Sequence, residues 1–593
     1  MRKSLSLLML LLLVGSAVGA FAQESVDEML ERAARLEEEK KISEAVTLYG
    51  EILEKYPEEP RAYNHFGAIL LRVGKVEEAK FAFTRATELD PDYDVALNNL
   101  GYVYLNEGDY ERAGPPLIAA AEMNPDGDSA VNNLRLYYVL QNKYEEAAAE
   151  WEKLSGLAPK NARLKRDLAE LYIQLGDLEA AEKWARETLV LAPDDVEARL
   201  DLAFVYRLTG RLDEAEAILE KLAKANADNA EVQIALRDVY FAAGKLEDAL
   251  RVGRTVLEVE PEPVPENHLA LAQIYYGLGQ YDDGLAECGR ALSLKDDAAG
   301  RNLRGLGYFL SGRLDEAEAE LSMAVAREKS YADAHRNLGD VYYQKWLFEQ
   351  ALEHYRTAYE LDQRDLRSSV MAGYCLYQMG VTGDAEAIFD DVLSKAPKMV
   401  KALNGKAAVM RARGDWTGAL EYSVKALEVS PNNAEALNTA GVLSAEVDDF
   451  EASYKYLKRL IALNPSEGYA YANFGVAAVR TRRWEEAHEA FAEAVTRDPG
   501  DFQAQAGLAV AAFKLGRRDE GEAALAVAAG MSEAHPVVLY GRALAAEADG
   551  DAAARDEYFA AIRQVKLEYE EKGAVADVLT GYVFEEVAGS PGE

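Results

Sequence analysis

Ala332-Asp-Ala-His-Arg-Asn-Leu-Gly-Asp-Val-Tyr342, followed by Phe348-Glu-Gln-Ala351-Leu-Glu-His-Tyr355-Arg-Thr-Ala358, is the stretch whose reading decides the fold. Counting Ala332 as position 1, Leu338 and Gly339 stand at 7 and 8, Tyr342 at 11, Ala351 at 20, Tyr355 at 24 and Ala358 at 27. The same columns return every 34 residues from Val26 through sixteen units to about Tyr569. Position 8 is Gly or Ala in fourteen units, with Arg135 and Arg237 as exceptions, and position 20 is Ala, Gly or Ser in fifteen, with Arg555 as the exception. Small residues at two fixed points mark where paired helices cross closely, since a larger side chain there overpacks by about 1–3 kcal/mol. Gly fills position 15 in eleven units, among them Gly74, Gly176, Gly210, Gly312 and Gly414, which suits a left-handed residue ending a helix. Pro57, Pro91, Pro125, Pro159, Pro193, Pro261, Pro397, Pro431, Pro465 and Pro499 mark the loops between units, because proline cannot donate to a continuing helix. Asp94, Asp195 and Asn433 are expected to cap the helices that follow. Each unit therefore reads as two antiparallel helices of roughly 14 residues, and one pair alone cannot bury its apolar face, so neighbours must stack.

This pattern resembles the tetratricopeptide repeat, and the resemblance covers almost the whole chain beyond Val26. It implies an all-α fold, a right-handed α-solenoid superhelix of about sixteen 34-residue helix-turn-helix repeats. Two departures mark expected joints. Gly114-Pro115-Pro116 falls inside a second helix, which should start late or kink there, and Pro261-Glu-Pro263-Val-Pro265 inserts a residue before the eighth unit, where a bend is expected. The array is taken as residues 26–569, followed at 570–593 by an amphipathic capping helix and a Gly-Ser-Pro-Gly tail.

The N-terminus reads as a targeting segment. Arg2 and Lys3 precede the apolar run Leu5 to Val14, and Ala20-Phe21-Ala22 offers a cleavage site, so residues 1–22 are taken as a signal peptide cut after Ala22 and the protein as periplasmic or secreted. The alternative is an uncleaved anchor, since Leu5 to Ala22 is about as long as the shortest spanning helices. No later run approaches that length, so no integral membrane segment is expected after cleavage. Cys288 and Cys375 lie three repeats apart, beyond the roughly 7 Å reach of a disulfide, and read as small core residues.

The formal net charge of −38 repels nucleic acid and anionic lipid, which excludes both as expected partners. It suits a basic partner or simply keeps a long solenoid soluble. The six histidines show no metal-ligand spacing, and no nucleophile elbow, phosphate loop or dinucleotide fingerprint occurs. Paired carboxylates such as Glu77-Glu78 and Glu485-Glu486 sit at helix starts, where they complement the helix dipole. No catalytic residue, cofactor or metal is therefore expected; the protein is not expected to be an enzyme.

In proteins this chain resembles, the first helices of successive units line a concave face through positions 2, 5, 6, 9, 12 and 13, and partners bind there. Asparagine recurs at positions 5 and 6: Asn64, Asn98, Asn99, Asn132, Asn133, Asn302, Asn337, Asn404, Asn438 and Asn473. Such a ladder can grip an extended peptide backbone, or its amides can bond neighbouring turns; it is interrupted through units five to eight. Position 12 is aromatic in five consecutive units, Phe241, Tyr276, Phe309, Tyr343 and Tyr377, with Tyr374 beside the last. These are either core residues or an apolar strip that anchors a partner. Arg336, Arg367, Lys401 and Arg411 lie nearby and offer cations to a carboxylate. The expected function is protein–protein interaction: an extended or helical segment of an envelope protein held in the concave groove, or, alternatively, a structural role in an outer-membrane or exopolysaccharide export complex through self-association.

Overall fold

The computed structural model describes residues 24–572 and 574–588; the expected signal peptide and the final tail lie outside them. Among the described residues there are 33 helices and no strand. They form sixteen consecutive pairs, a first helix of 12–14 residues and a second of 13–14 in all but the last pair, where it runs to 21, plus one terminal helix.

Local chemistry accounts for the boundaries. All sixteen position-15 residues have positive φ: eleven are glycine, from Gly74 (80°) to Gly550 (76°), and the other five are Lys40, Asn142, Trp346, Asp448 and Arg482. That left-handed residue reverses the chain after each first helix, and glycine adopts it without strain. At the starts, the Asp195 carboxylate accepts from the backbone N–H of Ala198 at 3.0 Å and the Asn433 amide oxygen from that of Ala436 at 2.8 Å. Asp94 is not a cap: it is the first helical residue, behind Tyr93, and its carboxylate accepts from Val95.

The helix Tyr110–Met123 neither starts late nor breaks at Pro115 and Pro116. Asp109 caps it at Arg112, and the carbonyls those prolines cannot serve belong to Glu111 and Arg112, both exposed. Gly114 gives room to a neighbour: a Cβ there would stand 2.6 Å from the Tyr137 hydroxyl, which would have to shift.

The chain divides into two compact units between Pro263 and Val264, inside the Pro-rich insertion. The first holds seven helix pairs, Val26–Glu38 through Leu246–Val259; the second holds nine, Pro265–Gly277 through Ala552–Lys572, with the helix Val578–Ala588.

One contact recurs in the core of both. The position-24 side chain lies across the position-8 glycine of its own repeat: Phe83 on Gly67, Leu117 on Gly101, Tyr355 on Gly339, Phe389 on Gly373 and Phe491 on Gly475. Where the following repeat has glycine at position 6, the ring is enclosed from both sides. A Cβ at Gly405 would sit 2.4 Å from Phe389, and one at Gly507 2.4 Å from Phe491. Phe389 and Phe491 are fully buried, as are Phe83, Leu117 and Tyr355. Cys288 and Cys375 are free and buried, and burial pushes their thiols up to about 11 and about 12.

These crossings are the place to test the packing. Gly475→Val and Gly507→Val should each lower stability by about 1–3 kcal/mol through overpacking, read by urea unfolding of the full chain, whereas Gly530→Ala, in a helix where a Cβ meets nothing within 4 Å, should not lower it and should raise it by up to about 1 kcal/mol through helix propensity.

Candidate functional site

The side chains at positions 5 and 6 of the first helices are used differently along the chain, and this shapes the face they form. Asn99 donates to the Asn64 amide oxygen at 2.8 Å, Asn133 to Asn98 at 2.8 Å, Asn337 to Asn302 at 2.9 Å and Asn473 to Asn438 at 3.0 Å. Each bond joins position 6 of one repeat to position 5 of the repeat before, so it is a clasp between neighbouring helices. Asn64 also donates to the Tyr93 hydroxyl at 3.3 Å, and Asn302 to that of Tyr331 at 3.5 Å. The position-5 asparagines Asn64, Asn98, Asn302 and Asn404 are buried, which corrects their reading as a ladder for a peptide. Asn99, Asn133, Asn337, Asn438 and Asn473 are half-buried, and Asn132 is exposed and accepts from Arg163. Asn404 donates to Asn433 and to Glu435, but among the described residues its buried amide oxygen has no donor; Thr439 stands where a clasping asparagine would.

The aromatic strip is likewise not uniform. Of the two readings given for this column, Tyr276 follows the core one: it is 8% exposed and does not belong to an apolar strip. Its repeat has the small Cys288 at position 24, and the Tyr276 ring fills the space left, its hydroxyl 3.3 Å from the thiol and its edge over Gly284 and Gly307. Phe241, in the first unit, is 40% exposed. In the second unit Phe309, Tyr343, Tyr374 and Tyr377 are half-buried. Tyr343 packs edge-on to Phe348 and Tyr374 to Phe389, and the Tyr374 hydroxyl donates to the Lys401 carbonyl at 3.1 Å.

Two of the four basic residues are spent internally. Arg336 pairs with Asp333 at 2.5 Å and Asp365 at 3.2 Å, and Arg367 with Asp340 at 2.8 Å. Lys401 and Arg411 are exposed, and among the described residues neither has a carboxylate within ion-pair distance; Lys401 only approaches the Tyr374 ring, at 5.8 Å.

The last repeats carry a feature that sequence reasoning placed at the end of the array. The helix Val578–Ala588 folds back against the first helices Gly468–Arg480 and Pro536–Ala548. Asp577 caps it through the backbone N–H groups of Leu579 and Thr580, and it buries Leu579, Tyr582, Val583, Phe584 and Val587. Its outer carboxylates meet cations of that face: Glu585 pairs with Arg480 at 2.9 Å, and Glu586 with Arg482 at 2.7 Å and Lys514 at 3.8 Å.

In the first unit a cavity of about 390 Å³ opens among the first helices Ala162–Leu175, Val196–Leu208 and Ala230–Ala242. Glu170, Leu200, Asp201, Phe204 and Ile234 line it. None of them was singled out from the sequence; the signal available was the gap in the asparagine columns.

No group of three or more His, Cys, Asp and Glu side chains that could hold a metal occurs among the described residues. Two histidines do meet, His335 and His354, with Nδ1 atoms 3.0 Å apart. His335 Nε2 lies 3.2 Å from the Lys329 carbonyl and so carries the proton there, leaving its Nδ1 to accept from His354. Burial, then His335, lowers the His354 pKa below the ordinary imidazole value.

Two measurements follow from this geometry. Asn302→Leu strands Asn337 and Tyr331 and should cost about 1–3 kcal/mol in chemical unfolding. A lowered imidazole pKa means that the unfolded chain takes the proton first, so the His354 contribution is complete above pH 6.5 and is lost as pH falls below it. The stability of His354→Gln should consequently fall less than that of the wild type between pH 7 and 5.

Comparison with known proteins agrees with this geometry. Models described as tetratricopeptide repeat match residues 60–93, 82–114, 138–195, 185–238, 269–331, 332–365, 441–502 and 472–536, together more than half of the chain. A TPR repeat-containing thioredoxin, TTL4 of Arabidopsis thaliana, is 36% identical over 96 residues, 16% of this chain and 14% of that protein. The crystal structure of the APC/C hetero-tetramer Cut9-Hcn1 aligns over 83% of this chain and 97% of the other at 14% identity, with a TM-score of 0.43. With the repeat matched in both compact units and the helix pairs in the same register, the chain belongs to the tetratricopeptide-repeat family.

Proposed function

We propose that the protein is a non-catalytic scaffold whose first-helix faces, concave in the family, hold extended or helical segments of other proteins. The observation that carries this reading is the helix Val578–Ala588. The first-helix face of the last three repeats receives an amphipathic helix through an apolar floor that includes Tyr540 and through the cations Arg480, Arg482 and Lys514. Helix-in-groove recognition uses this division of labour, with apolar anchors at helical spacing and charges setting register.

A second surface supports the same reading. At repeats ten to twelve, Tyr343 and Tyr377 offer half-buried rings, while Lys401 and Arg411 are cations without a carboxylate partner among the described residues, in a chain carrying 103 acidic residues. A partner segment with a carboxylate beside an apolar residue fits them. The signal-like N-terminus favours an envelope protein as that partner, in the periplasm or outside the cell. Among the described residues no helix is long and apolar enough to cross a membrane. Exchange of Val578–Ala588 between two copies is the route by which the alternative, a self-associating component of an export complex, would be built.

A chain ending at Lys572 should bind a synthetic peptide of residues 574–588 saturably, and changing Glu585 and Glu586 to Lys in the peptide should weaken binding by about tenfold, some 1.4 kcal/mol. Tyr343→Ala/Tyr377→Ala/Lys401→Glu/Arg411→Glu should in addition lose envelope partners that the wild type retains in pull-down. A truncated chain that keeps its helicity yet ignores the peptide, together with an unchanged set of partners in the quadruple variant, would reject the scaffold reading.

A further inference from the structure

In repeats five to seven the position 5 and 6 pairs are Arg166-Asp167, Leu200-Asp201 and Ile234-Ala235. No amide clasp bridges the first helices there; the residues that replace it are apolar or charged, with Arg166 facing Asp201. The cavity of about 390 Å³ opens at this place, wholly within the first unit. Ile173, Leu200, Phe204 and Ile234 supply apolar walls, and Glu170, Asp201, Glu231 and Asp238 the charges.

The pairing of those charges is uneven. Glu170 is held by Arg135 at 2.6 Å and Asp238 by Arg237 at 2.8 Å. Asp201 and Glu231 have no hydrogen-bonding or ion-pairing side chain among the described residues. Facing Asp201 are the carboxylates Glu170, Glu197 and Asp195 and the guanidinium Arg166, itself engaged with Asp195 at 3.5 Å. Burial, then Glu170 and Glu197, pushes the Asp201 carboxyl up to about 7. Arg207, the cation of the lining, lies over the Phe204 ring at 5.1 Å, six residues or about 9 Å along the helix from Asp201. The site thus has an apolar trough that ends where carboxylates outnumber cations: Arg166 faces Asp201 but is shared with Asp195, and Glu231 has no ion pair among the described residues.

A long side chain that is aliphatic along its stem and cationic at its tip satisfies both halves: the stem covers the walls and the tip replaces the water that Asp201 loses on burial. A carboxylate or phosphate in the same place would meet Asp201 and Glu231 at like charge, and a purely apolar side chain would leave both unpaired. We propose that this cavity is the receptor for a lysine or arginine side chain on an extended segment of a partner protein, its stem against Leu200, Phe204 and Ile234 and its charged tip at Asp201 and Glu231. The inference rests on the scaffold reading and adds to it a basic partner segment at a place distinct from repeats ten to sixteen.

The probe is a short acetylated and amidated glycine–alanine peptide with one central lysine, compared with the same peptide carrying norleucine or glutamate, and titrated against the full chain by ligand-observed NMR at pH 8. The lysine peptide should bind about tenfold more tightly than either control. Asp201→Asn and the exposed-site variant Glu231→Gln should each erase that preference, while Lys401→Ala/Arg411→Ala keeps it. A bound ammonium favours ionised Asp201, so lysine-peptide affinity should rise from pH 6 to pH 8 in the wild type and stay flat in Asp201→Asn. Equal binding of all three peptides, no saturation by about 1 mM, or an undiminished lysine preference in both variants overturns the inference. If that happens while the 574–588 peptide still binds the truncated chain, only the cationic site falls; loss of both removes the scaffold reading with it.

Discussion

The fold depends on how closely the two helices of one repeat approach, and where position 8 is glycine that distance is set by its contact with the position-24 side chain. Phe491 lies so near Gly475 and Gly507 that neither can carry a side-chain carbon without displacement of the ring. Because interiors pack at crystal-like density, such a contact leaves little freedom in the angle between the helices. Repeated along each compact unit, the same constraint aligns the first helices side by side and presents their outer positions as one face.

Where the constraint is relaxed, another residue takes it up. Cys288 is too small to fill position 24, and Tyr276 swings from position 12 into the vacancy, closing over Gly284 and Gly307. The residue that satisfies the core is thereby withdrawn from the face. The asparagine columns show the complementary economy: their amides tie one first helix to the next, so that polar residues on the face serve the lattice before any partner. The surfaces proposed for recognition are places where this internal traffic stops. These are the unclasped cavity of repeats five to seven, the uncompensated cations Lys401 and Arg411, and the apolar floor that receives Val578–Ala588.

The acidity of the chain takes on a sharper meaning in this setting. Most carboxylates lie at helix starts or in ion pairs along the surface, where each pair contributes about 1 kcal/mol or less and the charge serves mainly solubility. Asp201 differs because it is partly withdrawn from water and faces more carboxylates than cations, which is why the cationic side chain is proposed to dock there and not at a solvated carboxylate.

The residues alone were enough for the helix pairs, their number, the reversal at position 15 and the smallness of positions 8 and 20, because each depends on backbone preference or on contacts within about 34 residues. They were not enough for the continuous helix through Pro115 and Pro116, nor for the roles of Asn64, Asn302 and Tyr276, which follow from what the adjoining repeat places opposite them. Least legible were the cavity around Asp201 and the return of Val578–Ala588 onto Arg480 and Arg482. The first is a space bounded by three helices, and the second joins residues more than a hundred positions apart. Periodicity assigns a side chain to a face of its own helix; only the packed neighbours decide whether that face is covered, bonded or free.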